Sequence, residues 1–434
     1  MLTRTLIVSA AAALSACGGG GGVAPTQTSA PSPIVLPATA PAEPVTFSEI
    51  EVSIDGNALF NPLASHVTSN IHGTFVAYIS SPGQQKIVRS VGSAWQVVGE
   101  ITTPTTVCIA AEPDGALWAA WGDAATDPDK VHIRRWASPT APPVQTEVTS
   151  DQGQNNKYSC AWDEGRKAFW FIGSGFELLR FNTNAQLVNR QDLMDYTAPY
   201  MTMYPGLKVA LNGDLELAWM TIDLSSGGRY RSMEYMRSTD TANWSATGAA
   251  PFAATPTLEI VGDETGPAFH VASQLLGATS FLSDFISDAG WNTHFAWWYV
   301  PNAEGRCFLV ISNCSLGYRR SSALPVTTFS ADSESPRGAT GVVFGIRGSQ
   351  LYLVTAYADR IVWFVSDDRG VTWSKGGSQL VPDIGTKCIR DFDGIPTPSG
   401  FTGAIAIWNG DCPSWANSST PVSPTRIVAW TLNL

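Results

Sequence analysis

The sequence predicts an all-β fold, a β-propeller of six or seven blades with six favoured, over residues 47–434. Three observations predict it: short aromatic and β-branched runs recur after glycine turns, long helical periodicity is missing, and Gly (39), Pro (28) and Trp (16) are abundant. Many short strands joined by tight turns produce this profile. A β-sandwich is the structural alternative, but a sandwich rarely needs about 390 residues.

The repeated unit is about fifty residues long. Strand-like runs follow turns that begin at residues 73, 114, 164, 212, 348 and 400. The gap between the turns at residues 212 and 348 has room for two or three further units, one around residues 266–273 and one around 294–300. The segments 47–54 and 426–434 also look like strands, and we expect them to pair in one blade, because closing the ring leaves no open edge.

The first residues have the pattern of an export signal. An apolar run from Leu6 to Leu14 is too short to span a bilayer, and Leu14-Ser15-Ala16-Cys17 follows it. These four residues resemble the bacterial lipobox, which implies removal of residues 1–16 and lipidation of Cys17 as the new N-terminus. An ordinary signal peptide with a chance cysteine is the alternative. Gly18 in place of Asp favours, by analogy with Gram-negative lipoproteins, the outer membrane, with the periplasmic or outer face left open.

Residues 17–46 should form a tether between the lipid and the propeller. Five glycines follow Cys17, and Pro, Ala, Thr and Ser dominate the rest, a composition typical of disordered, extended linkers. No other segment is apolar enough to span a membrane. The net charge of −11 disfavours nucleic-acid binding, because phosphate contacts need a basic face.

One eight-residue motif carries a family resemblance. The motif Ser366-Asp-Asp368-Arg-Gly370-Val-Thr372-Trp373 resembles the Asp-box (BNR repeat) of sialidases and related propellers at every defined position. In that motif Asp368 accepts hydrogen bonds from backbone N–H groups, Gly370 takes a positive φ and Trp373 covers the turn. These are structural roles on the outer rim of a blade. Residues 238–244 look like a decayed copy, and residues 287–291 like a fainter third.

The resemblance implies a sialidase-like propeller but assigns no catalytic residue. Sialidases bind the substrate carboxylate with three arginines and use a Tyr nucleophile, a Glu and an Asp. The early segment that supplies their first arginine is absent, and no arginine precedes Arg89 in the folded part. Later arginines that could face the funnel lack a motif that places them there: Arg231, Arg320, Arg337, Arg347 and Arg390.

The function favoured by the sequence is ligand binding, of a glycan or a protein, at the axial funnel. Tyr196, Tyr200 and Tyr204 are candidate contacts, because an aromatic loop could stack on sugar rings, although packing between blades is the alternative role. The alternative function is an exo-sialidase-like glycoside hydrolase. No cofactor or metal is expected: the five histidines are scattered, and Asp391-Phe-Asp393-Gly394 lacks further calcium ligands and is interpreted as a turn.

Six cysteines besides Cys17 predict disulfides, because their number is even and the chain is exported. Fifteen pairings are possible. Cys108 and Cys160 hold similar places in consecutive units and could join neighbouring inner strands. Cys307 and Cys314 flank a short segment, and Cys388 and Cys412 fall within one unit. A metal site is the alternative, but the sequence has no CxxC spacing.

Overall fold

The strands of this protein group into seven small antiparallel sheets. The computed structural model describes residues 44–53, 59, 63–123, 127–150, 157–194, 200–223, 229–246, 269–273, 280–289, 292–299, 315–321, 327–329, 341–357, 359–385, 387–408 and 425–434. The predicted signal peptide, Cys17 and most of the predicted tether therefore lie outside the described residues. Among the residues that are described, no helix is long and apolar enough to cross a membrane.

The first four blades follow one another along the chain. Blade 1 contains β2 (Val67–Asn70), β3 (Gly73–Ser81), β4 (Gln84–Val91) and β5 (Ala94–Thr102); β1 (Val45–Ser53) precedes them in the chain but belongs to the last blade. Blade 2 contains β6 (Cys108–Ala111), β7 (Leu117–Asp123), β8 (Asp127–Trp136) and β9 (Val144–Thr149). Blade 3 contains β10 (Tyr158–Asp163), β11 (Ala168–Gly173), β12 (Glu177–Phe181) and β13 (Leu187–Asp192). Blade 4 contains β14 (Tyr200–Val209), β15 (Leu215–Asp223), β16 (Arg229–Ser238) and β17 (Phe269–Ser273).

The last three blades include the one that joins the two ends of the domain. Blade 5 contains β18 (Ser280–Ser287), β19 (Thr293–Tyr299), β20 (Ser315–Arg320) and β21 (Thr327–Phe329). Blade 6 contains β22 (Val342–Arg347), β23 (Gln350–Tyr357), β24 (Arg360–Ser366) and β25 (Ser374–Leu380). Blade 7 contains β26 (Cys388–Thr397), β27 (Gly400–Trp408), β28 (Thr425–Asn433) and β1 (Val45–Ser53).

The propeller has seven blades, so the preference for six was wrong. Each repeated run in the sequence is the second strand of a blade, and the run near 294–300 is β19, the second strand of blade 5. The expected unit near 266–273 is not a blade start, since β17 is the outermost strand of blade 4. Residues 239–268 separate β16 from β17, and this long connection stretched the spacing that the sequence pattern relied on.

The first strand of each blade lies on the inside of the ring. Contacts join the successive inner strands β2, β6, β10 and β14, then β18, β22 and β26, and β26 returns to β2. Blade 4 reaches blade 5 through β15 and β18. This arrangement places seven inner strands around one axis.

The ring closes by pairing its two ends, as predicted. In blade 7, β1 pairs antiparallel with β28, with Val45 opposite Leu432 and Ser53 opposite Thr425. The same strand also contacts blade 1: the Glu51 carboxylate accepts from Lys86 Nζ at 2.7 Å, and Trp95 Nε1 donates to Ser48 Oγ at 3.1 Å. The N-terminal strand therefore holds the last blade to the first.

The hydrophobic core is distributed between neighbouring blades. Trp118 of blade 2 stacks on Phe169 of blade 3 with ring centroids 4.8 Å apart, and Phe176 of blade 3 meets Trp219 of blade 4 edge-on at 5.1 Å. All four rings are fully buried. Each sheet thus covers both its faces with another sheet, which explains the aromatic second strands that revealed the repeat.

A disulfide joins Cys108 on β6 to Cys160 on β10, the neighbouring inner strands that the repeat predicted. Their Cα atoms lie 6.0 Å apart, within the usual range for a disulfide. Cys307, Cys314 and Cys412 lie outside the described residues, and the side chain of Cys388 is not described. The pairings expected for these four cysteines stay predictions.

Candidate functional site

The inner strands of all seven blades enclose a cavity of about 380 Å³, which we call the axial cavity. Its described lining mixes apolar, hydroxyl and charged side chains, and four of them bear directly on chemistry: Trp162, Lys208, Asp284 and Asp393. The size is typical of small-molecule sites. None of these four is identifiable as a site residue from the sequence alone.

Irregular strand pairing positions the first charged pair. The register of β14 shifts between Met203 and Gly206, and that of β18 shifts between Leu282 and Asp284. Such bulges turn a side chain away from the simple alternation of a strand. Lys208 Nζ donates to Asp284 Oδ1, and its ammonium lies 5.3 Å from the centre of the Phe285 ring.

Asp284 is a buried carboxylate that connects three blades. Its Oδ2 accepts the backbone N–H of Phe344 in blade 6 at 2.7 Å, while Oδ1 faces Lys208 of blade 4. Burial raises the pKa of Asp284, and the ammonium of Lys208 opposes that rise. The more exposed member is Lys208, whose side chain keeps 38% of its surface accessible against 9% for Asp284. A ligand in the cavity would therefore meet the ammonium first.

Asp393 supplies a second carboxylate from blade 7. One of its oxygens accepts the backbone N–H of His66 at 2.8 Å and the other accepts that of Gly394 at 2.7 Å. Its side chain is 23% exposed. The interpretation of Asp391–Gly394 as a turn was wrong, because these residues belong to β26 and pair with β27. Because β26 is an inner strand, Asp393 lies in the wall of the axial cavity.

Trp162 is the partly exposed indole of the axial cavity. Its ring stacks on Trp118 with centroids 5.9 Å apart and an angle of 23°, and its Nε1 donates to Glu164 Oε2 at 2.9 Å. These contacts hold the ring in one orientation. A rigid aromatic face beside polar groups suits the stacking of a flat apolar surface.

The three tyrosines proposed as ligand contacts do not form this site in the described part of the chain. Tyr204 is only 5% exposed and packs in the core between blades 4 and 5, with Lys157 Nζ 5.1 Å from its ring centre. That prediction was wrong for Tyr204, because its ring is covered by protein. Tyr196 lies outside the described residues, and only the backbone of Tyr200, in β14, is described.

The arginines considered as funnel residues are not seen in the axial cavity either. Among its described lining residues there is no arginine. Arg320 instead donates to the carbonyl of Arg369, and Arg347 to that of Leu434. Arg337 and the side chains of Arg231 and Arg390 lie outside what the structure describes.

A tyrosine and a glutamate do meet beside the cavity. Tyr235 Oη donates to Glu216 Oε1 at 2.6 Å, and Ser287 Oγ donates to the same oxygen. Burial raises the pKa of Glu216, against the hydrogen bonds from Ser287 and Tyr235 and the charges of Lys208 and Arg237. Glu216 lines the axial cavity, but Tyr235 is fully buried in the core between blades. Tyr235 therefore holds Glu216 in place, and its buried hydroxyl cannot reach a ligand in the cavity to act as a nucleophile.

The Ser366–Trp373 loop connects β24 to β25, the two outer strands of blade 6. Asp368 accepts the Thr372 hydroxyl at 2.6 Å and the Thr372 backbone N–H at 2.8 Å, and these hydrogen bonds lower the pKa of Asp368 to about 2. Gly370 has φ +79°, and a side chain there would also meet Tyr318. Trp373 packs edge-on against Tyr318 of blade 5 at 5.1 Å. The loop therefore stabilises a turn and a contact between blades.

The two weaker copies differ in position. Asp240, which follows β16 in blade 4, accepts the backbone N–H groups of Ala242 and Asn243 at 2.9 and 2.7 Å, in the same way as Asp368. The segment 287–291 follows β18, an inner strand, so it occupies a different place in its blade. Of that segment, Gly290 and Trp291 lie outside the described residues.

A buried histidine connects Asp288 to the loop of blade 6. His294 Nε2 lies 3.3 Å from Asp288 Oδ2, and Nδ1 lies 2.7 Å from the Tyr318 hydroxyl, which touches the loop. Burial lowers the pKa of His294, although hydrogen bonding to Asp288 opposes this. The neutral imidazole is the form that the fold favours.

We expect this histidine to make the protein acid-sensitive. The unfolded chain takes up a proton at His294 below its ordinary pKa of about 6.5, and the folded chain does so only at lower pH, so stability should fall as the pH drops below about 6.5. His294→Gln should reduce this dependence while lowering stability at neutral pH. Urea unfolding on either side of that pH measures both effects. His72→Gln, at a turn, is the control. If the free energy of unfolding of His294→Gln depends on pH as strongly as that of the wild type, His294 is not the cause of the acid sensitivity.

No group of three or more His, Cys, Asp or Glu side chains suited to a metal ion occurs in the described ranges.

Comparisons with known proteins support the architecture. Neither a family model nor a curated protein matches the sequence. Among solved structures, an ulvan lyase of polysaccharide lyase family PL25, bound to -[GlcA(1-4)Rha3S]-, is 11% identical with a TM-score of 0.62, over 84% of this chain and 96% of that one. The polysaccharide lyase Uly1 is 10% identical with a TM-score of 0.55, over 87% and 91%. At such low identity the likeness shows a shared propeller fold.

Proposed function

We propose that this protein is a lipid-anchored propeller of the cell envelope that binds an uncharged oligosaccharide in its axial cavity. The observation that carries the proposal is the composition of that cavity. An indole face, an accessible ammonium and two carboxylates converge there from four different blades: Trp162, Lys208, Asp284 and Asp393.

A sugar satisfies this set of groups better than an apolar ligand does. Each hydroxyl can donate and accept at once, so it can bridge carboxylates and an ammonium, while the C–H face of a sugar ring can stack on an indole. A protein partner would need a broad surface, whereas this site is a cavity of about 380 Å³. The fold-level likeness to polysaccharide lyases supports the same broad class of ligand.

The charges favour a neutral sugar over an acidic one. Lys208 is already paired with Asp284, and Asp393 adds a further negative charge. The described lining has no arginine, the side chain best suited to a carboxylate or sulfate because it donates two parallel hydrogen bonds. An acidic sugar would therefore meet net repulsion.

The binding proposal predicts a specific loss. Trp162→Ala should weaken binding of a neutral oligosaccharide about tenfold or more, because it removes the stacking face, a change of about 1.4 kcal/mol. A glycan array on the folded domain selects the sugar, and titration calorimetry measures its affinity.

The matched control is Trp95→Ala, which removes another partly exposed indole from the outer strand β5. It should leave affinity unchanged. A silent array, or equal affinities for wild type and Trp162→Ala, would overturn the proposed function.

The alternative, an exo-sialidase-like hydrolase, draws on the Tyr235–Glu216 hydrogen bond and on the motif at residues 366–373. It would need an arginine cluster in the cavity and an accessible tyrosine. A fluorogenic sialoside separates the two functions: we expect no turnover by the folded domain, and turnover would replace the binding proposal with hydrolysis.

The lipid anchor is proposed from the sequence alone, on Leu14-Ser15-Ala16-Cys17. Cys17→Ala should abolish incorporation of labelled palmitate and release the protein from the membrane fraction, since the buried methylenes of the lipid supply the anchoring energy. Cys412→Ala should retain both label and membrane association. Lipidation of the Cys17→Ala variant would contradict the assignment.

A further inference from the structure

We infer that a second cavity, between blades 4 and 5, is a sugar subsite that continues the axial cavity. This inference rests on the proposed function. The second cavity encloses about 220 Å³ and shares three wall residues with the axial cavity: Ala210, Leu211 and Glu216. A chain of sugars longer than the axial cavity can hold would enter it next.

The second cavity holds a buried carboxylate oxygen that lacks a hydrogen-bond partner. Asp214 lines the cavity and is 5% exposed, and its Oδ2 has no hydrogen-bond partner among the residues that the structure describes. Its backbone N–H donates to Asn212 Oδ1 at 3.3 Å. A buried carboxylate oxygen without a partner is unfavourable for the fold, and a ligand that donates a hydrogen bond to it would recover part of that cost.

The surrounding side chains select hydroxyl groups. Arg237 offers only donors and Asp214 only acceptors, while Asn212 offers both; the Ser287 hydroxyl, whose hydrogen is donated to Glu216, can still accept. Asp288, also in the wall, has Oδ1 bonded to the Asn292 N–H and Oδ2 near His294, so it is already held by protein groups. A mixed set of donors and acceptors suits sugar hydroxyls, which can both donate and accept.

Glu216 makes the shared wall chemically similar on both sides. It is 1% exposed, and its Oε1 is held by Tyr235 and Ser287. Because burial raises the pKa of Glu216, its carboxyl is shifted toward the protonated form, which can donate as well as accept.

The test measures affinity against chain length. The probe is the ladder of single sugars to six-sugar chains obtained by hydrolysis of the neutral polysaccharide that the array ranks first. In the wild-type protein, affinity should rise about tenfold at the length where the chain outgrows the axial cavity. Asp214→Asn should lose that increment and keep the affinity for the shortest chain that binds.

Matched controls separate binding from folding. Asp114→Asn, in the corresponding turn of blade 2 and exposed, should keep the increment. Asp214→Asn should not unfold at a lower temperature, because it removes an unpaired buried charge. Asn212→Ala, at an exposed turn position, should reduce the increment in part and provides a second variant.

The possible failures are distinguishable. If no sugar of any length binds, the proposed function itself fails. If sugars bind with no step in affinity, or with a step that Asp214→Asn retains, the subsite is overturned and the axial site stands. A marked drop in the unfolding temperature of Asp214→Asn would show a structural carboxylate and also overturn the subsite.

Discussion

A chain that begins after Ser53 should lose its cooperative unfolding transition, because strand β1 closes the ring. Eight residue pairs join β1 to β28, and Val45 lies in the same core cluster as Trp430. Without β1, blade 7 has three strands, β28 becomes an open edge, and the core beneath it is exposed to water. The loss should be comparable to the whole stability of a domain, about 5–15 kcal/mol.

The contacts between β1 and blade 1 add to this effect. Ser53 Oγ donates to the Ile79 carbonyl at 2.6 Å, and Glu51 pairs with Lys86. A chain that begins at Glu43 is the control: it lacks the predicted signal and most of the tether, and should unfold as cooperatively as the full chain. Near-ultraviolet circular dichroism during heating measures both chains. A normal transition in the shorter chain would show that ring closure does not require β1.

Removing the Cys108–Cys160 disulfide should lower stability by about 4 kcal/mol. The bond joins inner strands of blades 2 and 3 across a separation of 52 residues, and a cross-link of that span restricts the unfolded chain by about this amount in the chain-entropy account. Both cysteines lie in the core cluster of these blades. The double variant Cys108→Ala, Cys160→Ala, measured by denaturant unfolding without reductant, tests the value.

The double variant Cys307→Ala, Cys314→Ala is the comparison. Its loop would be much shorter, so its loss, if that bond forms, should be about 2.5 kcal/mol. A smaller loss for Cys108 and Cys160 than for this pair would contradict the chain-entropy explanation.

The architecture could be predicted from the sequence because its causes are local and repeated. A turn glycine followed by an aromatic strand, as at Asp114–Trp121, recurs in almost every blade, and each copy packs on the next blade in the same way. The two terminal strands were predictable for the same reason. The number of blades was predicted wrongly because the insertion between β16 and β17 lengthened the repeat in blade 4, although that blade still has four strands.

The repeat was therefore enough to predict the all-β ring and its closure, and it indicated Cys108 and Cys160 as one of the possible disulfide pairs. The candidate site could not be predicted in the same way, because folding brings its residues together from different blades and they share no motif. Lys208 and Asp284 are 76 residues apart and meet through two strand irregularities, and Asp393 joins them from blade 7. Strand alternation shows which residues are buried, whereas the meeting of inner strands around an axis decides which polar side chains share a cavity.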